Sequence, residues 1–521
     1  MRRILGIIIV LTAGAAGAAC GEGSSGGGAD AGTDTDTDTD TDTDSDTDTD
    51  TDSDTDTDTD TDTDTDADAD TDTDADADAD GGLDAGPDGG AGPDYSADSD
   101  SDGYSNLVEW GAGTDPSDPG SFPGADEVYL VLPHGGAAES VDLVFSTDII
   151  EADLVLACDT TGSMGGVVTE LQDSLQTTIV PEFSMAVPNP AMGVVSFRDF
   201  PVDPFGGATD WPFRLEQRVT NAFTDVQNGV DAYFVGGGSD GPEAHLEALY
   251  QTAAGDGIAW DVDGGTGEVP AFDGATGYDA GKGHGLLGGA GFREGALPIV
   301  AMFTDITWHD AADYWDAGIE AAHSRDEAVA AAVGIGARVI GVTSSGGARA
   351  QLEQVARDTG AIVPPAAWGA AETMCLTGLG GAGVAPDGDG LCPLVFTIGF
   401  DGSGAGDRLV AGVQALVAYG AIDVTAVPVA DPYALPDVDT AAFVTGVAAK
   451  APAPPDASID GAAFRGVKPG APVTFTVTFR NDLVAHQASP QLYRLTIRAY
   501  GDDVTVLDER AVYVIVPGDV D

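Results

Sequence analysis

Oxygen-bearing side chains recur at close spacing in separated stretches of this sequence. The first is Val155-Leu156-Ala157-Cys158-Asp159-Thr160-Thr161-Gly162-Ser163-Met164. An apolar run ends there at a carboxylate, and hydroxyls follow at alternate positions. Asp159, Thr161 and Ser163 can therefore turn three oxygens to one side. Oxygen-only ligands suit a hard divalent cation, Mg²⁺, Mn²⁺ or Ca²⁺, rather than zinc. Glu243 stands at the end of a glycine-rich loop, just before a helical pattern, and Asp305 follows the apolar run 299–303. A divalent ion takes about six oxygens. Asp159, Thr161, Ser163, Glu243 and Asp305 leave room for water or for an acidic group from a partner. That is a binding mechanism with no chemistry required.

A second cation signal is local. Asp98-Ser99-Asp100-Ser101-Asp102-Gly103-Tyr104-Ser105-Asn106-Leu107-Val108-Glu109 matches the calcium loop at each ligand position. Carboxylates fall at Asp98, Asp100 and Asp102, glycine at the sharp turn, a backbone carbonyl at Tyr104, then Asn106 and Glu109. With the following Trp110-Gly111-Ala112-Gly113-Thr114-Asp115-Pro116 it resembles the short calcium-binding repeats of bacterial surface proteins and thrombospondin type 3 repeats. The expected role of Ca²⁺ here is to stiffen the junction with the preceding segment.

The elements that must position these groups follow from apolar patterning. Buried-strand runs at 154–157, 192–197, 298–303, 338–343 and 394–398 alternate with helical patterns at 167–179, 219–234, 244–254, 321–333, 348–359 and 409–419. This predicts an α/β, doubly wound, mainly parallel sheet, with Asp159 at its carboxyl edge, where open sheets bind ligands. The stretch 255–291 reads as a glycine-rich insertion without packed periodicity. From about 420 the runs 423–429, 473–479, 492–499 and 511–516 alternate as strands without helices, which predicts a β-sandwich.

The 521-residue chain carries 19 basic and 89 acidic residues, a formal charge of -70. That disfavours nucleic acid as a partner and favours cations. Residues 30–80 are an almost pure Thr-Asp, Ser-Asp and Ala-Asp repeat. With about 25 negative charges and no apolar face, it is expected to be a disordered, extended stalk. Met1-Arg2-Arg3, an apolar run and small residues precede Cys20, which resembles a bacterial lipobox with Gly17 where Leu is usual. Residues 1–20 thus read as a secretion signal, with either lipidation of Cys20 or cleavage near Ala18. Lipidation would place the protein as a membrane-anchored lipoprotein at the outer membrane or cell surface. Cys375 and Cys392 suit a disulfide in an exported protein, two free thiols being the alternative. Cys158 reads as a packed thiol.

Asp159-Thr160-Thr161-Gly162-Ser163-Met164 resembles the metal-ion-dependent adhesion site of von Willebrand factor A domains. The resemblance narrows to integrin β subunits through three further stretches. These are Gly193-Val194-Val195-Ser196-Phe197-Arg198-Asp199-Phe200-Pro201-Val202, Asp240-Gly241-Pro242-Glu243, and Phe303-Thr304-Asp305 with Trp308-His309. It implies Mg²⁺ or Mn²⁺ at the first site and Ca²⁺ at a neighbouring site of Asp199, Asp240, Pro242 and Glu243. It also implies insertion of the A domain (151–420) into a hybrid-type β-sandwich, whose first strands lie in 125–150 and whose remainder is 421–521. Residues 21–94 would be the stalk and 95–120 the calcium-loop segment. Gly166 and Val167 stand where the family has acidic residues, so a third site is not expected.

The expected function is a surface-tethered, metal-ion-dependent adhesion or ligand-binding protein whose partner presents an acidic residue. A second subunit is left open. One alternative is an envelope protein whose ions only brace the fold. A metal-dependent hydrolase finds little support: His245, His284 and His309 are isolated in sequence, and Gly236-Gly237-Gly238 lacks the lysine of a phosphate loop.

Overall fold

The computed structural model describes residues 96–124, 127–263, 265–432 and 438–519. The signal, Cys20 and the repeat lie outside them. Among the described residues no helix is long and apolar enough to cross a membrane.

The sequence places four apolar residues, Leu154 to Ala157, in a row, and all are fully buried. The reason is pairing on both edges. Strand Glu151–Asp159 runs parallel to Asn189–Phe197 on one side and to Leu297–Thr304 on the other. Strands covered on both faces read as continuous apolar runs. The six-stranded order is Val395–Thr397, Arg338–Thr343, Leu297–Thr304, Glu151–Asp159, Asn189–Phe197, Arg214–Thr220. All neighbours are parallel except the last pair. The chain moves to one side after Glu151–Asp159 and later to the other. The carboxyl end of that strand is therefore a topological switch point, the place where open sheets bind ligands.

Two helix groups cover this sheet. Gly165–Ser174, the π turn Leu175–Ile179 and Val180–Ala186 pack with Ala405–Tyr419, whereas His245–Ala253 packs with Arg325–Gly334. Gly166 has a packing reason: a Cβ there would lie 2.4 Å from the Asp401 carbonyl oxygen. The loop ahead of Ala405–Tyr419 occupies that space, so no side chain fits.

A second layered unit is built from both sides of this sheet in sequence. One sheet runs Val128–Val131, Thr505–Val516, Gln491–Gly501, Ile422–Ala430, Ala463–Val467, Ser458–Asp460; the other runs Val444–Ala449, Val473–Phe479, Glu139–Phe145. Val473, Phe475, Val477 and Phe479 point inward while the intervening threonines are half-buried. Phe464 of the first sheet meets Phe475 of the second edge-on at 5.2 Å. Segments before and after the parallel sheet thus close one β core.

The sequence reading is corrected in four places. The segment 219–234 is not one helix: strand Arg214–Thr220 takes its start, and helix Phe223–Asp231 follows. The helix expected at 321–333 is Arg325–Gly334, begun by a Ser324 capping box. Helix Ala311–Asp316, with its own box at Asp310, was not expected. The insertion 255–291 does pack: hairpin Ile258–Val262 with Gly265–Val269 buries Ile258, Trp260 and Val269 against Phe200, Phe205 and Tyr314. Its strands are five residues each and glycine-flanked, too short for periodicity to show.

Candidate metal centre

Two strand ends and one loop deliver the site. Asp159 is the last residue of its strand and is fully buried. Its Oδ1 accepts hydrogen bonds from the Thr161 amide at 2.8 Å and from Thr161 Oγ1 at 2.7 Å. Ser163, which is exposed, follows on the turn Gly162–Met164. Thr304, ending the neighbouring strand, brings Oγ1 to 3.1 Å from Asp159 Oδ2. Asp305 comes next.

Glu243 is fixed by main chain. Its amide donates to Thr307 O at 3.1 Å, its carbonyl accepts from the His309 amide at 3.2 Å, and the Ala244 amide donates to Arg198 O at 2.9 Å. His245 adds a side-chain clamp: Nδ1 meets Glu243 O at 3.1 Å and Nε2 meets Thr304 Oγ1 at 2.7 Å. Burial pushes the His245 imidazole down to about 4, so it is neutral near pH 7. The glycine loop lies against Glu243 and Thr161. A Cβ on Gly238 (φ +74°) would lie 3.1 Å from Glu243 Oε1 and 3.5 Å from Thr161 Cβ. Thus Asp159, Thr161 and Glu243 share one cleft.

That cleft carries more negative charge than its surroundings balance. Burial is the main force raising the Asp159 carboxyl to about 6, with Asp305 adding repulsion and the Thr161 bonds opposing. Glu243, 3% exposed, is raised to about 10 by burial and then by Asp159, Asp199, Asp210 and Asp240. One buried cation, Arg198, is already engaged: its Nη1 pairs with Asp210 Oδ1 at 3.1 Å. Buried Glu243 Oε2, Asp305 Oδ1 and Asp199 Oδ2 have no hydrogen-bond partner. Buried anionic oxygens in native folds are paired or bind metal. The donor set is all oxygen, so the residues fit a hard divalent ion.

Beside this cleft, a histidine stands between Asp199 and Asp240. Asp199 Oδ1 accepts from Tyr314 OH at 2.7 Å and from the Phe200 amide at 2.6 Å, and burial drives this carboxyl well above its ordinary range. Asp240 is drawn to it through His309, with Nε2 at 3.1 Å from Asp240 Oδ2 and 3.6 Å from Asp199 Oδ2. The ligand atoms of Asp199, Asp240 and His309 lie within 4.8 Å of one another. His309 is therefore not isolated. Pro242 is half-buried beside them. His309 precedes helix Ala311–Asp316, and its Nδ1 meets Asp313 Oδ2 in the first turn at 3.3 Å, a four-residue spacing that could have marked it in the sequence. Arg198 and Asp210 had no such signal.

The 98–109 loop folds around its own carboxylates. Asp98 Oδ1 accepts from the Ser101 amide at 2.7 Å, Asp102 Oδ1 from the Tyr104 amide at 2.8 Å, and Asn106 Oδ1 from the Ser99 amide at 3.0 Å. Gly103 takes φ +107°, which only glycine adopts readily. The ligand atoms of Asp98, Asp100 and Asp102 lie within 4.8 Å of one another. Asp100 Oδ2, Asp102 Oδ2 and both oxygens of fully buried Glu109 have no hydrogen-bond partner. Burial, then Asp100, Asp102 and Asp98, raise the Glu109 carboxyl above its usual range. Helix Asn106–Ala112 rests on the sandwich, where a Cβ on Gly111 would lie 2.8 Å from Ile515 Cδ1.

A disulfide joins Cys375 to Cys392, and Cys158 is a buried free thiol.

No family model matches the chain, and no curated protein does. Among solved structures, the pilus adhesin SpaC from Lactobacillus rhamnosus GG in its open conformation aligns at 10% identity and a TM-score of 0.27, over 73% of this chain and 46% of that one. A second structure of the same adhesin aligns over 72% and 46%, with the same identity and TM-score. The chain spans about half the length of that adhesin.

Proposed function

We propose that this protein is a surface-tethered, metal-ion-dependent adhesion or ligand-binding protein. Its 151–420 segment is read as a doubly wound domain of the von Willebrand factor A type, closest to the integrin β form, inserted into a hybrid-type sandwich. Support comes from the parallel strand order, the switch point at the end of Glu151–Asp159 and the closure of one β core by segments flanking the sheet.

The observation that carries the reading is Glu243. A carboxylate 3% exposed, with one oxygen unpartnered and four other carboxylates raising its proton affinity, needs a cation or a proton. Asp159, Thr161, Ser163, Glu243 and Asp305 would hold Mg²⁺ or Mn²⁺. When bound, the ion supplies a positive centre for a carboxylate. Gly162 and Ser163 are exposed, so an acidic side chain of a protein partner can approach from their side. Asp199, Asp240, Pro242 and Glu243 are assigned to a second ion, and the 98–109 loop to Ca²⁺. Lipidation of Cys20 would supply the membrane tether, and the role is binding rather than catalysis.

The test is adhesion of beads bearing the full chain to a panel of immobilised matrix and cell-surface proteins. Binding that needs Mg²⁺ or Mn²⁺, and is lost with EDTA and in Asp159→Ala, is expected. Binding indifferent to both would remove the mechanism.

A further inference from the structure

We infer that Asp199, Asp240 and His309 form a mixed nitrogen–oxygen site that selects a divalent transition ion of the Mn²⁺, Co²⁺ or Zn²⁺ class over Ca²⁺. The inference rests on reading the Asp199–Asp240 pair as a metal site and changes its third ligand and its ion.

The first observation is the distances. His309 Nε2 lies 3.1 Å from Asp240 Oδ2 and 3.6 Å from Asp199 Oδ2. Metal–nitrogen and metal–oxygen bonds of about 2.0–2.2 Å at a tetrahedral ion put ligand atoms roughly 3.4 Å apart. The three groups need little rearrangement to close on one ion.

The second is the unpartnered oxygen. Asp199 is fully buried, and Tyr314 OH and the Phe200 amide both hold its Oδ1. Its Oδ2, the oxygen nearest His309, has no hydrogen-bond partner. Buried side-chain oxygens in native folds are normally hydrogen-bonded.

The third is the imidazole's far side. Nδ1 faces Asp313 Oδ2 at 3.3 Å. Metal-binding histidines commonly donate their other ring N–H to a carboxylate, which fixes the tautomer and strengthens the ligand. The ring plane is set by edge contacts to Phe205 at 5.0 Å and Tyr314 at 5.3 Å. In the bound form the Nε2 lone pair would face the ion, with Nδ1–H held by Asp313. Imidazole nitrogen suits transition ions, whereas Ca²⁺ takes oxygen ligands. Asp240 is exposed, so its side of the site can admit an ion and water.

The test is pulsed EPR of Mn²⁺ added to the full chain in excess Ca²⁺ and Mg²⁺, which fill oxygen-only sites. Nitrogen modulation on bound Mn²⁺ is expected in the wild type and is lost in His309→Gln and His309→Ala, with Mn²⁺ affinity at least about tenfold weaker. The wild-type spectrum decides the point even if a variant folds poorly. Bound Mn²⁺ without nitrogen modulation, or modulation that persists in His309→Gln, overturns this inference and leaves the oxygen-only reading standing. A wild type that binds no Mn²⁺ with or without Ca²⁺ and Mg²⁺ overturns both.

Discussion

Glu243→Gln separates the cost of a buried charge from the worth of a bound ion. The Glu243 carboxyl is pushed up to about 10 in the fold, while an unfolded Glu titrates near 4.3 (about 1.4 kcal/mol per pH unit of difference). Between those values the unfolded chain binds fewer protons than the folded one, so stability falls as pH rises through the window. At pH 7 the penalty is as much as about 4 kcal/mol. Glutamine keeps the shape and does not titrate. In EDTA, Glu243→Gln should therefore be more stable than wild type at pH 7 to 8 and converge with it near pH 4. With Mg²⁺ or Mn²⁺ the order reverses, because the ion takes the place of the proton in the wild type alone. Urea denaturation across this range, with and without metal, reads both effects. A Glu243→Gln protein that is less stable than wild type in EDTA at pH 8, or that keeps the full metal-dependent gain, would refute the reasoning.

Asp159→Ala should keep its far-ultraviolet circular dichroism and lose the Mg²⁺-dependent rise in Tm, since Asp159 joins the Thr161 hydroxyl to the Glu243 cleft; a retained Mg²⁺ shift would count against the site. Arg198→Leu leaves Asp210 buried without its partner and should cost about 3–5 kcal/mol, measured by urea denaturation; a loss under 1 kcal/mol would show that the Gly207 and Gly238 amides suffice to hold Asp210. Ca²⁺ should slow hydrogen exchange across helix Asn106–Ala112, and Glu109→Gln should weaken that protection, because both Glu109 oxygens are buried without partners; equal exchange in Ca²⁺ and EGTA would exclude a calcium clamp.

Much of the parallel sheet was legible because full burial leaves a simple mark. Leu154–Ala157 and 299–303 are unbroken apolar runs whose ends carry Asp159 and, two residues on, Asp305. Glu243 could be marked as a candidate ligand from its Asp-Gly-Pro-Glu loop. What held it in place could not, because those contacts join residues far apart: the Thr307 carbonyl, the His309 amide and the Arg198 carbonyl. His309 was misread for the same reason, since Asp199 lies 110 positions earlier in sequence yet 3.6 Å away in space. The hairpin of 258–269 was hidden by its short strands, and the helix Ala311–Asp316 by its length of six residues. Packing on Phe200, by Trp260 of the hairpin and by Tyr314 of the helix, fixes both elements.

Anomalous scattering from a crystal grown in Mn²⁺ tests whether Asp159, Thr161, Ser163, Glu243 and Asp305 hold a divalent ion. A peak about 2.0–2.3 Å from Asp159, Ser163 and Glu243 oxygens is expected, with the Thr161 hydroxyl released from Asp159. A structure in Mn²⁺ that shows no peak there, with Thr161 Oγ1 still 2.7 Å from Asp159 Oδ1, would contradict it.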